Sequence, residues 1–582
     1  MSLPIPAAIL PILPLLLAAA VAMLWRRSMK VGYFSFAMSL VSLALAAAIF
    51  TGPATQQSIG WFSIAGFTFQ LGFYTLMLNK ILLLLVSVVM PFVMLYSTGF
   101  IRTPSDQGRY YAEMCVFASS MMLFAVSGSF LTMFIAWEFL GLTSYLLIGF
   151  YTNKEAAALA ARRSITIIFL GDIAMLAAIV LLFLQYGTLD FNAIMQAPGN
   201  AAVPLLLILF AAFTKSAQFP TNEWLPDAME GPAPVSAFLH SSTMVKAGVF
   251  LVMVLMPMYV AAGLQNVILW IGIVTALLAV SNALVERHIK RILAYSTIED
   301  LSLMLIAVGL GNLYAATLLF IVQAFYKAPL LLSSGSIMRM NDEQSDIFKI
   351  GNSPRNRTLF IAVLLASLSL ASIFPFGSWI EKSLISSSAT DAVVGSLLLL
   401  ISFASSTYIF RWLFVPLSGS RKRAEQEYHA LRKSMLVPAI TMVLISLAIS
   451  FYFIYNYLST RGAGSIFYPG LEEGAVGLMG LAAAYLLFYR KHAVAVPSRA
   501  WLLYNRRAFD ISYYSIARAF NVLASAADRF DYGLDRGINA LGRALIAFER
   551  IPALLESGNP SVYMLLFAIG LAILVLAFGG SL

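Results

Sequence analysis

Five charged residues stand alone inside apolar stretches that are long enough to cross a membrane: Glu138, Lys215, Lys246, Lys327 and Lys382. A charge at bilayer depth is costly, and residues kept there line ion pathways or pair inside a helical bundle. Burial disfavours the protonated form of a lysine and a nearby carboxylate favours it, so protonation of one group changes the proton affinity of the next. The sequence therefore indicates an ion-translocating membrane protein rather than a soluble enzyme.

Lys215 is the central candidate for a proton carrier, and Glu138 is its candidate modulating partner. A fixed structural ion pair is the alternative. His240 and Lys246 are six residues apart and so lie on different faces of an ideal helix. They can carry a proton inward because an imidazole titrates near neutral pH, although a membrane histidine also serves simply to hydrogen-bond a neighbour.

Lys327 and Lys382 are the corresponding candidates in the second half of the chain, and the adjacent Glu381 is the predicted pair of Lys382. The alternative for Lys382 is an interfacial side chain that snorkels to water. Two weaker candidates complete the set. Lys290 also fits an ordinary topology cluster of basic residues, and Asp172 fits a structural role or a place in a water chain.

The composition sets the environment. Of 582 residues, 60% are hydrophobic and 11% charged, which is too apolar for a surface exposed to water. The formal charge of +10 comes from Lys and Arg residues that gather in loops, so it indicates topology and no nucleic-acid partner. Cys115 is the single cysteine, which rules out an internal disulfide and a cysteine-ligated iron–sulfur cluster. We expect no cofactor or metal in this chain.

Apolar runs predict an all-α polytopic membrane protein with about sixteen transmembrane helices. They start near positions 4, 31, 81, 110, 129, 164, 202, 233, 267, 291, 314, 358, 392, 435, 470 and 561. Loops rich in Lys and Arg alternate with loops nearly free of them. The positive-inside rule makes the basic loops cytoplasmic and places both termini on the opposite side of a cell membrane, inner or plasma.

Two of the spans are interrupted by prolines. The first break follows Lys215, at Phe219-Pro220 and Leu225-Pro226, and the second precedes Lys382, at residues 374–377. Broken helices are tolerated only beside protein or a water-filled cavity, and a pair of them in two halves of a bundle indicates inverted repeats. We therefore predict two inverted five-helix repeats, each a half-channel.

The predicted organisation has six parts. They are N-terminal transmembrane helices (1–109), a first repeat (110–256), a second repeat (267–415), C-terminal transmembrane helices (434–490), a long amphipathic helix (500–558) and a final transmembrane anchor (561–580).

The amphipathic helix carries one apolar stripe with steps of three or four residues: Ile516, Phe520, Leu523, Ala527, Phe530, Leu534, Ile538, Leu541, Leu545 and Phe548. Such a helix lies along a surface rather than crossing the bilayer, and some 45 residues would reach about 65 Å. We expect it on the cytoplasmic side, in contact with neighbouring membrane subunits. A membrane-surface anchor or a short loop is the alternative.

The residues from Phe213 to Gly248 (FTKSAQFPTNEWLPDAMEGPAPVSAFLHSSTMVKAG) resemble the signature of the antiporter-like subunits of respiratory complex I and of Mrp antiporters. Residues 137–151, 171–172, 289–297 and 324–327 also match. The long helix followed by a final span is similar to the lateral helix of the L subunit, called subunit 5 in mitochondria. The resemblance covers nearly the whole chain, and it implies that Lys382 is the exit-side residue.

The chain departs from the family pattern at several positions. Gln323 stands where the family commonly has His, and His288 stands where it has Asp before Ile-Lys-Arg. Glu299-Asp300 replaces the usual continuation after Ser296-Thr297 and looks more like membrane-bound hydrogenase relatives. Lys246 is more typical of Mrp-type and other paralogous subunits. The chain looks like a divergent L subunit.

Three functions are open on the sequence. The first is a proton-translocating L-type subunit of a complex I-like quinone oxidoreductase, with iron–sulfur clusters, flavin and quinone in partner subunits. The second is an Mrp-type cation/proton antiporter subunit or a membrane-bound hydrogenase ion-pumping subunit. The third is a structural subunit that clamps its neighbours. Copurified redox subunits would separate the first from a free-standing antiporter, and the buried ionisable residues argue against the third. The electron donor and the choice of H+ or Na+ stay open.

Overall fold

The computed structural model describes residues 6–64, 67–197, 199, 201–350, 356–418, 431–461, 464–490, 518, 521–522, 524–544, 546–547 and 560–578. The chain forms two compact units, Met1–Leu502 and Leu503–Leu582. The first unit holds all of the candidate residues for ion transfer.

The first unit is a helical bundle. After a 3₁₀ helix, Ala7–Ile12, its helices are α1 (Leu13–Leu24), α2 (Lys30–Thr51), α3 (Met77–Phe100), α4 (Pro104–Ala125), α5 (Phe130–Ile148), α6 (Glu155–Tyr186), α7 (Phe191–Gln196), α8 (Ala202–Lys215), α9 (Trp224–Asp227), α10 (Ala233–Ser241), α11 (Met244–Val254), α12 (Met256–Ala261), α13 (Gln265–Val285), α14 (Ile289–Gly309), α15 (Leu313–Met340), α16 (Arg357–Leu370), α17 (Trp379–Ser388), α18 (Ala392–Ser418), α19 (Lys433–Arg461) and α20 (Gly464–Ala484). A 3₁₀ turn, Ala228–Glu230, follows α9, and π-helical turns, Tyr485–Arg490, follow α20.

A β-hairpin interrupts the helices and corrects the all-α prediction. Strands β1 (Gln56–Ile64) and β2 (Phe67–Tyr74) pair antiparallel. Aromatic and polar residues alternate over Phe67–Gln70 at the start of β2, and the stacked rings of Phe62 and Phe69 pair across the two strands. The Tyr74 hydroxyl donates a 2.5 Å hydrogen bond to Asp190, which attaches the hairpin to the turn before α7.

The polytopic helical architecture is confirmed. Twelve helices in the described part of the chain are long and apolar enough to cross a membrane. Three shorter apolar segments, Ala202–Lys215, Arg357–Leu370 and Pro560–Gly570, add to them. The count of sixteen, like the inverted relation of the repeats, stays a prediction.

The spans differ in how far they are enclosed by protein. Ala233–Val254 and Ile289–Gly309 are 94% buried over their apolar windows, and Leu313–Met340 is 89% buried. Lys30–Thr51 and Gly470–Tyr489 are only 22% and 28% buried, as expected for lipid-facing helices. The candidate lysines of α11 and α15 therefore lie in the interior of the bundle.

Both proline-containing breaks are present. The α8 helix ends at Lys215 ahead of Pro220, and α16 ends at Leu370 ahead of Pro375. Proline removes a backbone donor and clashes with the preceding turn, so neither helix can continue through it. Lys215 is thus the last residue before one break, and Lys382 lies in the first turn after the other, on α17.

The second unit contains α21, described over residues 524–544, and α22 (Pro560–Phe578). Apolar residues of the stripe on α21 are largely exposed: Phe530 75%, Leu534 53%, Ile538 60% and Leu541 66%. Ile516, Phe520, Leu523, Leu545 and Phe548 lie outside the described residues. The full amphipathic helix of residues 500–558 therefore stays a prediction.

Candidate ion pathway

The first candidate lysine sits in a closed cluster between α8, α5 and α6. Lys215 is fully buried, its ammonium donates a 2.6 Å hydrogen bond to the carbonyl of Trp137, and it lies 4.0 Å above the ring of the same residue. Asp172 places a carboxylate oxygen 4.0 Å from Lys215 and accepts a 2.7 Å hydrogen bond from the Trp137 indole. Trp137 thereby fixes both members of the ion pair.

Asp172, a weaker candidate in the sequence, is the described carboxylate that pairs most closely with Lys215. Glu138 follows Trp137 on α5, is partly exposed, and interacts electrostatically with both Asp172 and Lys215. Consecutive residues of a helix point in different directions, so Trp137 and Glu138 cannot both face α8 squarely. The modulating role of Glu138 stays a prediction. Asp172, rather than Glu138, is the nearest carboxylate partner of Lys215 in the described structure.

His240 and Lys246 do not share one helix, so the prediction that they lie on different faces of a single ideal helix does not apply. The chain leaves helical geometry at Ser242 and Thr243, between α10 and α11. The Thr243 hydroxyl donates a 2.7 Å hydrogen bond to the Phe238 carbonyl. Such local side-chain bonds compete with the helical ladder, which explains why a Ser-Ser-Thr run ends α10.

The break separates the environments of the two residues. The His240 ring lies 6.5 Å from that of Trp224, and its Nδ1 has no hydrogen-bond partner among the described residues. Lys246 is fully buried, donates a 2.5 Å hydrogen bond to the Phe320 carbonyl on α15 and lies 4.7 Å above the Phe320 ring. Lys246 is therefore held by α15 through a carbonyl rather than a carboxylate.

One face of α15 connects two lysines. Phe320, Gln323 and Lys327 are spaced by three and four residues and so lie along the same side of the helix. Lys327 is fully buried and forms an ion pair with Asp300 at 2.8 Å, with a further 2.8 Å hydrogen bond to Ser296. Gln323, between them, is buried, and both polar atoms of its amide lack a hydrogen-bond partner within the described structure.

Lys382 pairs with a residue that the sequence analysis did not select. Its ammonium lies 3.3 Å from Glu299 and 3.4 Å from the Leu370 carbonyl at the end of α16, which also accepts a hydrogen bond from Ser378. Ser405 and Tyr408 of α18 also donate to the Glu299 carboxylate. Lys382 thus forms its ion pair with Glu299 rather than with the predicted Glu381. The Glu381 carboxylate is buried without a hydrogen-bond partner in the described structure and keeps only an electrostatic interaction with Lys382.

Glu299 and Asp300 are the functional candidates that sequence reasoning missed. They are fully buried on α14, where Glu299 pairs with Lys382 and Asp300 with Lys327. In the sequence they stood out only as a departure from the family pattern. Two adjacent carboxylates within an apolar helix are also charges at membrane depth, and that feature alone could have identified them. Together they make α14 the bridge between the two lysines of the second half.

A cavity opens beside Lys290 on the side of the predicted cytoplasmic loops. It has a volume of about 190 Å³ and is lined by residues that include Tyr151, Glu230, His288, Lys290 and Glu343. Lys290 is buried and donates a 2.7 Å hydrogen bond to the Gly231 carbonyl.

Tyr151, another lining residue of this cavity, lies in the loop between α5 and α6. Burial and the nearby Glu343 carboxylate raise the pKa of Tyr151 to about 12, so its phenol stays neutral.

Lys290 connects this cavity to the interior. Glu230 and the other basic residue of the motif, Arg291, form a 3.1 Å ion pair at the cavity edge. Lys290 also interacts electrostatically with the buried His240. Electrostatic interactions also link Lys246 to Lys327, and Lys327 to Lys382 in the first turn of α17.

The described residues contain no group of three His, Cys, Asp or Glu side chains that could hold a metal ion. Cys115 is buried in α4 as a free thiol. The buried lysine–carboxylate pairs are groups that can exchange protons.

Buried lysine–carboxylate pairs in a bundle of membrane-spanning helices, two of them beside helix breaks, are typical of an ion-translocating membrane subunit of the antiporter-like class. The family model for the transmembrane part of NADH:quinone oxidoreductase and Mrp antiporter proteins matches residues 127–408. NADH-quinone oxidoreductase subunit L of Campylobacter jejuni is 34% identical over 69% of this chain and 68% of its own length. The chain belongs to this family.

Solved structures agree on the fold. A chain of the Mrp complex from Dietzia sp. DQ12-45-1b has a TM-score of 0.71 at 24% identity, covering 98% of this chain and 62% of that one. A chain of the archaeal membrane-bound sulfane sulfur reductase has a TM-score of 0.72 at 19% identity, covering 97% of this chain and 99% of that one. At these identities the likeness concerns the fold alone.

Proposed function

We propose that this chain is the L-type proton-translocating subunit of a complex I-like quinone oxidoreductase. Redox chemistry takes place in partner subunits, which carry the iron–sulfur clusters, flavin and quinone, and drives proton movement through this subunit. The observation that carries the proposal is the pairing of Lys327 with Asp300 and of Lys382 with Glu299 from consecutive residues of one buried helix.

The proton enters from the cavity beside Lys290 and is handed to His240 and Lys246. It then passes along the face of α15 to Lys327. Each buried lysine contacts a carboxylate, a backbone carbonyl or both, so loss of its proton changes the charge that its neighbours experience. Transfer from Lys327 to Lys382 follows, because Glu299 and Asp300 are joined through the α14 backbone and the charge of one pair alters the other.

The cluster of Lys215, Asp172 and Glu138 acts as the modulating element of the first half. Movement of the Lys215 ammonium from Asp172 toward Glu138 would change the field at Lys246. The two carboxylates that interact with one lysine supply two stable positions for its charge. This is the bistable element that coupling to a distant redox event requires.

The test uses the assembled complex in proteoliposomes, with proton uptake and electron transfer measured together. Lys327→Ala and Lys382→Ala each lower the number of protons moved per electron. The two losses are less than additive in the double variant, because one proton uses both sites. Lys433→Ala, at an exposed position on α19, is the matched control and leaves pumping unchanged. Full pumping in both single variants would overturn the proposal.

An Mrp-type cation/proton antiporter is the second candidate function. It is favoured by the matching family model, whose description names Mrp antiporter beside NADH:quinone oxidoreductase. Purification of the tagged chain from its native membrane separates the two. Redox subunits with bound flavin and iron–sulfur clusters accompany it in the first case, whereas in the second the purified assembly exchanges cations for protons without any electron donor.

In this proposal, α21 is the helix through which the chain contacts neighbouring membrane subunits. Its exposed apolar residues, among them Phe530 and Leu541, favour a position against neighbouring membrane subunits at the predicted cytoplasmic surface. The polar residues of this segment carry charges of both signs and include few lysines. This composition fits contact with protein better than a purely electrostatic attachment to lipid.

A further inference from the structure

A buried glutamate on α20 lies beyond Lys382, outside the two repeats. Glu473 is 1% exposed, and its carboxylate accepts a hydrogen bond from Ser386 of α17. The second carboxylate oxygen is buried as well, and Ser402 of α18 is a further hydroxyl that interacts with the carboxylate. A carboxylate kept at membrane depth on an otherwise lipid-facing helix needs a reason for its retention.

Its position relative to Lys382 is set by α17. Ser386 comes one turn after Lys382 on the same face of the helix, so it lies about 6 Å further along the axis. Glu473 also interacts electrostatically with Lys382. A serine hydroxyl both donates and accepts hydrogen bonds, so Ser386 can relay a proton between an ammonium and a carboxylate.

The direction along α17 leads away from the basic loops. Two residues after Ser386, Ser388 ends the helix and accepts a 2.8 Å hydrogen bond from Asn312, which caps the start of α15. The connection around residues 389–391 contains no Lys or Arg, as expected for the side opposite the cytoplasm. Ser386, which contacts Glu473, thus lies on the side of Lys382 toward that end of α17.

The approach of α20 to α17 is tight at this level. The Trp379 indole donates a 2.7 Å hydrogen bond to the Gly470 carbonyl, one turn before Glu473. A Cβ at position 470 would come within 2.4 Å of the Trp379 ring, so only glycine allows the contact. This contact holds the Glu473 carboxylate at Ser386.

We propose that Glu473 is the outlet residue, which takes the proton from Lys382 through Ser386 and releases it on the side opposite the basic loops. The inference rests on the proposed function. In the transfer, a Lys382 N–H bond breaks and the proton crosses the one-turn gap to Ser386 through an intervening water. A Ser386 O–H bond forms as the original Ser386 proton moves to the Glu473 carboxylate. The ammonium becomes a neutral amine and the carboxylate a neutral acid, so charge is conserved.

The test compares Glu473→Gln with Glu473→Asp in the assembled complex in proteoliposomes. Glutamine keeps an acceptor for Ser386 but cannot take the proton, so the rate of proton translocation falls roughly tenfold. This loss is smaller than the roughly 10²–10⁴-fold contribution of a general acid or base in catalysis. Aspartate restores most of it. Glu472→Gln, a change of the adjacent exposed carboxylate, is the matched control and leaves translocation unchanged.

Three outcomes overturn the inference. Full translocation by Glu473→Gln while Lys382→Ala is impaired rejects the outlet role and leaves the proposed function standing. Full translocation by both variants rejects the proposed function as well. Equal loss in Glu473→Gln, Glu473→Asp and Ser386→Ala, together with a lower melting temperature of the complex, assigns Glu473 a purely structural hydrogen bond.

Discussion

Lys327 and Asp300 form an ion pair with 2.8 Å between the ammonium nitrogen and a carboxylate oxygen, and neither side chain is exposed. Removing two charges from water costs several kcal/mol for each ion, and their attraction offsets this only while both are present. The pair is therefore a poor device for stability. Its retention in the most enclosed part of the bundle, between α14 and α15, is better explained by proton transfer.

We predict that Lys327→Met destabilises the protein by about 3–5 kcal/mol, because it leaves the Asp300 charge buried without compensation. The double variant Lys327→Met/Asp300→Leu recovers a large part of that loss. Thermal unfolding of the complex in detergent measures both, with Lys433→Met at an exposed position as the control. A double variant as unstable as the sum of the single ones would contradict the pair.

Much of this architecture follows from the sequence. Apolar runs of membrane length predicted the polytopic fold, and prolines 220 and 375 predicted where α8 and α16 end. Both signals are local, since length and the missing backbone donor act within one segment. The same holds for Lys215 and Lys382, whose charges stand out against their own helices.

The pairing of side chains could not be predicted in the same way, because it depends on how helices rotate against each other. Asp172 is 43 residues from Lys215, and Glu299 is 83 residues from Lys382. The β-hairpin was not predicted because residues 52–76 lack an apolar run of membrane length, although the alternation over Phe67–Gln70 is typical of a strand. The helix break at Ser242-Thr243 was not predicted from the sequence, because side-chain hydroxyl groups disrupt a helix less strongly than proline does.

The cluster around Lys215 allows a graded comparison of its two carboxylates. Lys215→Ala abolishes or strongly lowers pumping while the complex still assembles. Asp172→Asn lowers pumping more than Glu138→Gln does, because Asp172 is the carboxylate 4.0 Å from Lys215. Glu138→Asp is milder than Glu138→Gln since the charge survives.

Protons moved per electron, measured in proteoliposomes at equal complex content, check this order. Normal stoichiometry in Lys215→Ala would refute a functional charge. A harmless Glu138→Gln would reduce Glu138 to a packing residue of α5.

Gln323 is predicted to hold water between Lys246 and Lys327. Its buried amide has no partner in the described structure, and an amide can both donate to and accept from water. Gln323→Leu removes that capacity and lowers proton translocation, whereas Gln323→His keeps it and retains most of the rate. Proton uptake at fixed electron-transfer rate distinguishes the two, and equal rates in both variants would show that this face of α15 carries no proton.

The last prediction concerns α21. Its described residues 524–544 are helical, and an apolar stripe that is 53–75% exposed at Phe530, Leu534, Ile538 and Leu541 is costly to leave in water. Leu534→Gly/Asp535→Pro interrupts this helix, because proline in a helix interior costs about 3 kcal/mol or more. We expect fewer neighbouring membrane subunits to copurify with the tagged chain, while Leu534→Ala/Asp535→Ala, which keeps the helix, retains them. Crosslinks from this segment that stay within the same chain, or a hairpin in place of one continuous helix, would defeat the proposal that α21 contacts other subunits.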